Sequence, residues 1–265
     1  MNTVSITDYL QSLTDIIPAI QMGIVPSDIG IVYHKFAGSI NISTTQSIIS
    51  TCPNENPFNT DNLPLYISST DNTDTQEIFI EGINQNYQVV NELITLQGQT
   101  AVSLQTDFRT IWRGYNNNTV DLAGDIYIGS ESNPTNGEPA ENNMYLHIPG
   151  TINGKLTNQS LTSIFTIPDG YTGFITSWFA TATKGKDIDF IAYTRENMGI
   201  WRYQDRISVY ESTFYKEMPY MRIPEKTDMK VLGATQSGTS NASTTYDMIL
   251  INNEYLKKMR QLKWR

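Results

Sequence analysis

At 265 residues the chain exceeds one small sandwich and suits two β-domains, and folding at this length hides about 70 to 75% of the unfolded surface, enough for a core without staples. Cys52 is the single cysteine, which excludes an internal disulfide. Asp and Glu number 27 against 18 Lys and Arg, and the net charge of -9 sets most of the surface against nucleic-acid phosphates.

Residues 1–28 are predicted to form an arm, because Tyr9, Leu10, Leu13, Ile16, Ile17 and Ile20 recur at helical spacing until Pro18 and Pro26 interrupt. Two readings stand: a short helix on its own domain, or an arm docked on a neighbouring subunit. The opening residues lack the basic start and unbroken apolar run of a secretory signal, and no apolar stretch reaches the ~18 residues of a membrane helix. Synthesis in a cytoplasm and no membrane partner are expected.

From Ile29 onward strand-like runs follow at intervals of about 8 to 12 residues, the pattern of sandwiches and barrels. Ile78 and Ile80 alternate with Phe79 and Glu81 up to a turn over residues 82–86, and Tyr87 to Leu96 returns as the second strand of a hairpin. Further strands are expected at Thr110 to Arg113, Gly124 to Ile128, Met144 to Ile148 and Leu161 to Ile167. Residues 130–143, SESNPTNGEPAENN, are predicted to be a solvated loop, either a binding loop or a plain excursion into solvent.

In the second half, Pro168-Asp169-Gly170 spells a tight turn between two strands. Ile188, Phe190 and Ala192 point to one face of the next strand, and Asp187, Asp189, Ile191 and Tyr193 to the other. The closing EYLKKMRQLKWR places Tyr255, Leu256, Met259 and Leu262 on one side of a helix and its basic residues on the other. With five positive and one negative side chain the tail carries +4 and the remaining 253 residues carry -13. The tail reads as a surface helix, an arm gripping an acidic neighbour, or a nucleic-acid contact, the last opposed by the acidic body.

The expected fold is all-β: two antiparallel, jelly-roll-like β-sandwich domains over residues 29–110 and 111–252, with an N-terminal arm at 1–28 and a short basic helix at 253–265.

Groups that carry chemistry are sparse. His34 and His147 are the two histidines, far apart in sequence and without a metal-ligand spacing. Cys52 has no basic neighbour to activate it, and no serine-hydrolase, P-loop or dinucleotide motif occurs. Asp187 with Asp189, and Asp121 with Asp125, are the carboxylate pairs a glycosidase reading would need, at spacings an acidic chain produces by chance. No cofactor, metal or catalytic residue is assigned. Trp112, Tyr115, Trp201 and Tyr203 lie beside Arg113 and Arg202, so they are candidates for a sugar-stacking platform or, as the leading reading, for subunit interfaces. Tyr255, Leu256, Met259 and Leu262 join them as interface candidates.

The run IFIEGINQNYQVVNELITLQGQTAV resembles a pattern in virion structural proteins of tailed bacteriophages, through Ile80, Gly82, Ile83, Asn84, Asn86 and Tyr87, then Glu92, Leu93, Ile94, Leu96, Gly98, Thr100 and Val102. The stretches Ile167 to Gly173, Ser177-Trp178 and Ile223 to Asp228 are similar to the same proteins. The resemblance covers about residues 75–250 and implies a virion building block with no active site. The expected role is a capsid decoration, cement or head-fibre protein that forms homo-oligomers, a trimer among them, and binds the major capsid protein. The alternatives are a neck or tail adaptor or fibre-anchoring protein, and a glycan-binding module of a receptor-binding fibre.

Overall fold

The computed structural model describes residues 20, 25–152, 154–183, 186–210 and 213–262, with all side chains in these ranges except those of residues 40, 213–220 and 259–262. Most of the expected arm lies outside the described residues; Ile20 and Val25 pack on Ile249 and Ile251. In chain order, β1 (Gly30–Ile42) and β2 (Ser47–Ile48) come first. They are followed by β3 (Tyr66–Ser69), β4 (Glu77–Asn84), β5 (Val89–Thr95), β6 (Val102–Ser103), β7 (Phe108–Asn116), β8 (Ile126–Gly129) and β9 (Met144–Ile148). Two short strands, β10 (Thr151–Ile152) and β11 (Lys155–Leu156), form a hairpin. The rest are β12 (Phe165–Thr166), β13 (Tyr171–Ala182), β14 (Asp187–Glu196), β15 (Arg202–Tyr210), β16 (Thr213–Ile223), β17 (Thr227–Thr235), β18 (Ser240–Asn252) and the helix α1 (Asn253–Leu262).

Four antiparallel pairings define the larger body: β1 with β18, β12 with β17, β13 with β16, and β14 with β15. Among these eight strands the first pairs with the eighth, the second with the seventh, the third with the sixth and the fourth with the fifth. This is one long hairpin rolled up. β13 also pairs with β18 and β14 with β17, which closes two sheets ordered β1-β18-β13-β16 and β12-β17-β14-β15. That strand order is a jelly roll, two Greek keys folded face to face.

Alternation in the strands makes the core between the sheets. Ile188, Phe190 and Ala192 of β14 meet Trp178 and Ala180 of β13 and Tyr246, Met248 and Leu250 of β18 in one cluster with Val231 and Met229. Burying each of the larger side chains contributes roughly 1.5 to 3 kcal/mol. The Trp178 indole donates to Thr244 Oγ1 at 2.7 Å, so burial leaves its N–H satisfied.

Between β2 and β12 the chain leaves the jelly roll and builds a second, smaller sandwich, its sheets ordered β6-β3-β8-β9 and β5-β4-β7 around Ile67, Ile78, Ile80, Ile111, Ile126 and Leu146. The smaller sandwich is therefore an insertion. The expected division at residue 110 falls inside β7, and the expected first domain omits the partners of β1, which lie at 240–252. Local periodicity marks a strand without saying which remote strand it pairs with, and Gly30 pairs with Ile251.

Three local expectations hold in the backbone. The β4–β5 hairpin shows the alternating burial read from Ile78 and Ile80, the Pro168-Asp169-Gly170 turn joins β12 to β13 with Gly170 at φ 78°, and the tail forms α1. A fourth holds in the main: residues 130–143 form a loop that is mostly exposed, pinned at one point where Ser68 Oγ donates to Gly137 O at 2.8 Å and Gly137 and Pro139 are buried. Gly137, at φ 77°, lies so close to Ser69 O that a Cβ there would sit 1.8 Å away, which is why glycine stands at the anchored point.

Candidate functional site

The insertion covers one flank of the jelly roll. Trp112 of β7 stacks on Phe165 of β12 with ring centroids 4.3 Å apart, Lys35 of β1 donates to Trp112 O, and the Asp169 N–H donates to Tyr87 O at 2.9 Å. β1 and β12 are thus the covered ends of the two sheets. At the opposite ends lie β16 and β15, each hydrogen-bonded, among the described residues, to one strand of its own sheet. Along β15 and the turn leading into it, Ile200 is 74%, Tyr203 55% and Tyr210 67% exposed. Exposed apolar side chains thus stand beside a sheet edge that has no second strand among the described residues.

The two flanks differ in charge as well. Residues 49–164 hold 13 acidic side chains against Arg109, Arg113 and Lys155, a net of -10, and the rest of the chain carries +1. The insertion is an acidic lobe on a nearly neutral body.

The sequence-selected aromatics do not form one platform. Trp112 is 1% exposed and fills the seam between the two sandwiches, flanked edge-on by Tyr33 at 5.4 Å. Tyr115 lies on the outer face of β7 beside Phe79 at 5.1 Å, under the Arg113 guanidinium at 4.7 Å. Trp201 is held on the other sheet by Phe58 at 5.6 Å, with Arg195 and Lys230 over its ring at 4.6 and 4.8 Å. Tyr203 is on the open edge. On α1, Leu256 packs towards Ile249 and Ile251, and Tyr255 lies under Lys258 at 5.1 Å. The side chains of Met259 and Leu262 lie outside the described residues.

Four of the titratable candidates, His34, Asp189, Asp121 and Asp125, hold local partners. His34 Nδ1 is 2.6 Å from Asp247 Oδ1, whose second oxygen accepts from Ser177 Oγ at 2.6 Å. Asp189 accepts Arg206 at 3.1 and 2.6 Å and Ser208 at 2.6 Å, and burial opposes these contacts in setting its lowered pKa. Asp121 accepts Asn158 Nδ2 at 2.7 Å, and Asp125 accepts the Gly150 N–H at 2.8 Å. Cys52 is buried beside Tyr127 and Met144, and burial pushes its thiol up to about 12, so it is no thiolate at neutral pH. Among the described residues no three His, Cys, Asp or Glu gather into a metal-binding group.

Sequence reasoning missed the groups that join the two bodies. Lys35 is buried, and desolvation lowers its ammonium to about 7, with Arg113 adding to the shift and Glu81 opposing it. Asp228 of β17 accepts Arg109 from the insertion and Arg195 from β14. The signal for Lys35 was present in IVYHKFA, where it shares the parity of Tyr33 and Ala37. Asp228 closes the Ile223 to Asp228 stretch of the resemblance, but no local pattern gave it a role.

No protein-family model and no curated protein matches the chain. Solved structures similar to it are those of the infectious bursal disease virus VP2 subviral particle, at TM-score 0.21 and 10% identity over 89% of this chain and 78% of that one. The Gx strain of the same virus gives TM-score 0.20 and 8% identity over 85% and 76%. Its derived T=1 particles give 0.21 and 12% over 89% and 75%. At such scores the overlap is loose, and the strand order describes the fold independently of it.

Proposed function

We propose that this chain is a virion structural protein that works by packing against copies of itself, most specifically a capsid decoration or head-fibre component of a tailed phage. The observation that carries the reading is the jelly roll with everything added to it on one flank. Jelly rolls serve viral capsids, lectins and cupins. The insertion covers the β1 and β12 side and reaches the β14–β15 turn through Phe58 on Trp201, while β15 has no second paired strand among the described residues and Ile200, Tyr203 and Tyr210 are exposed, which supports side-by-side assembly. The charge of the acidic lobe keeps assembled particles soluble. The resemblance at residues 80–102 and 167–173 adds the tailed-phage assignment. A neck or tail adaptor uses the same edge at lower copy number.

The test is the copy number of the protein in purified virions by quantitative mass spectrometry, with its oligomeric state by light scattering. Hundreds of copies support decoration and about a dozen support the adaptor. Absence from the particle, with a monomer at micromolar concentration, refutes both.

A further inference from the structure

At the junction of insertion and jelly roll lies a cavity of about 610 Å³, whose walls include Gly38 and Ile42 of β1, Asn241 of β18, Thr51, Asp125 and His147. His147 stacks on Tyr127 with ring centroids 4.6 Å apart and planes 9° from parallel, so the imidazole is fixed in orientation. Its Nδ1 lies 2.8 Å from Thr51 O. A carbonyl only accepts, so Nδ1 carries the hydrogen and the neutral ring bears its lone pair on Nε2. That Nε2 is buried and has no hydrogen-bond partner among the described residues.

Facing it, Asp125 Oδ2 is 3.7 Å away, too far for a hydrogen bond. The other carboxylate oxygen is held by the Gly150 N–H at 2.8 Å, so the carboxylate too is fixed. Two electron-rich atoms, each oriented by a hydrogen bond on its far side, therefore face one another across a gap. Nitrogen and oxygen ligands about 2.0 to 2.2 Å from a shared zinc ion, at a tetrahedral angle, stand about 3.3 to 3.6 Å apart. The observed separation needs a small widening of that angle. Outer hydrogen bonds from a histidine to a carbonyl and to a ligating carboxylate are the arrangement that orients metal ligands.

We infer that His147 Nε2 and Asp125 Oδ2 form a two-donor site for a divalent transition metal, zinc being the probe of choice, with water from the cavity completing the shell. With two protein donors the site is open and exchangeable, unlike a closed structural zinc. Its ion would stiffen the junction, because Thr51, which fixes the imidazole, lies in the segment leading from β2 into the insertion. The inference stands apart from the virion reading.

The experiment is isothermal titration of the metal-free full chain with zinc chloride at pH 7.5, beside Asp125→Asn, His147→Phe and His34→Ala. Asp125→Asn keeps an acceptor for Gly150, and His147→Phe keeps the stack on Tyr127, so both are expected to fold; their metal-free melting curves check this. One saturable equivalent is expected, weakened at least ten-fold in Asp125→Asn and His147→Phe, unchanged in His34→Ala, and weakened as pH falls to 5.5 because protons compete for Nε2. Absence of saturable binding, or equal affinity in His147→Phe and the parent, overturns the site. If either variant melts far below the parent, nickel or cobalt spectra of the parent decide: an imidazole-ligand band supports the site, and its absence refutes it.

Discussion

Arg109 of the inserted sandwich donates to Asp228 of the jelly roll at 2.8 Å, with Arg109 3% and Asp228 0% exposed. Arg195 donates to the same oxygen through Nε at 3.1 Å and Nη2 at 2.7 Å, and Thr166 Oγ1 donates to the other oxygen at 2.9 Å. One carboxylate thus anchors strands β7, β12, β14 and β17. Burying ions costs several kcal/mol each, and the pairing offsets that cost only while every member is present.

Asp228→Asn is therefore expected to destabilise the fold by about 3 to 5 kcal/mol, because it leaves two guanidinium groups buried without a counter-charge. Arg109→Met should cost less, since Asp228 keeps Arg195 and Thr166. Urea unfolding of the two variants checks the order, and equal or reversed losses would show that the cluster is not the anchor.

Lys35 predicts a pH dependence. Its folded pKa is about 7 against an ordinary 10.5, so between these values the unfolded chain holds a proton that the folded chain has released. Stability then rises with pH across that window, by up to about 1.4 kcal/mol per unit. Cys52 works the other way above pH 9, where its thiol ionises in the unfolded chain but not in the folded one, whose value is about 12. The clean interval is pH 7 to 9. Lys35→Met should be more stable than the parent at pH 7 and lose most of the slope; parallel curves from urea titrations would refute the assignment.

How much of this was legible follows from range. The β4–β5 hairpin and the Pro168-Asp169-Gly170 turn are written in neighbouring residues, and both were readable. The jelly roll depends on Gly30 finding Ile251 and Phe165 finding Met229, pairings that no local period encodes. The insertion was consequently read as half of a tandem. The same limit hid the candidate sites. Asp125 and His147 are 22 residues apart in the chain and meet because β8 and β9 are neighbours, and Arg109 meets Asp228 only when the insertion folds back on β17. Aromatic residues near arginines suggested one platform, but Trp112 and Trp201 serve separate packing seams.

Trp112 separates a structural role from a binding one. Stacked on Phe165 and 1% exposed, it offers no face to a ligand. Trp112→Ala should cost about 3 to 5 kcal/mol. Trp201→Ala, at a partly buried position, should cost less. Thermal unfolding checks both. A Trp112→Ala protein of unchanged stability that lost binding on a glycan array would instead place this residue in a sugar site.

The open edge makes the last prediction. Ile200, Tyr203 and Tyr210 lie along one ribbon, and none of them belongs to the buried core of the jelly roll. Replacing all three by Lys removes apolar surface from the edge and adds three positive charges that repel a second identical edge, so association should weaken while the monomer keeps its melting temperature within a few degrees. The substitutions leave the inward face of β15 untouched, where Ile207 and Val209 join the core. Sedimentation of parent and variant across concentration reads the difference. An oligomer that survives the triple change, at low and high salt alike, would move the contact to another surface, with β16 or the acidic lobe next to be tested.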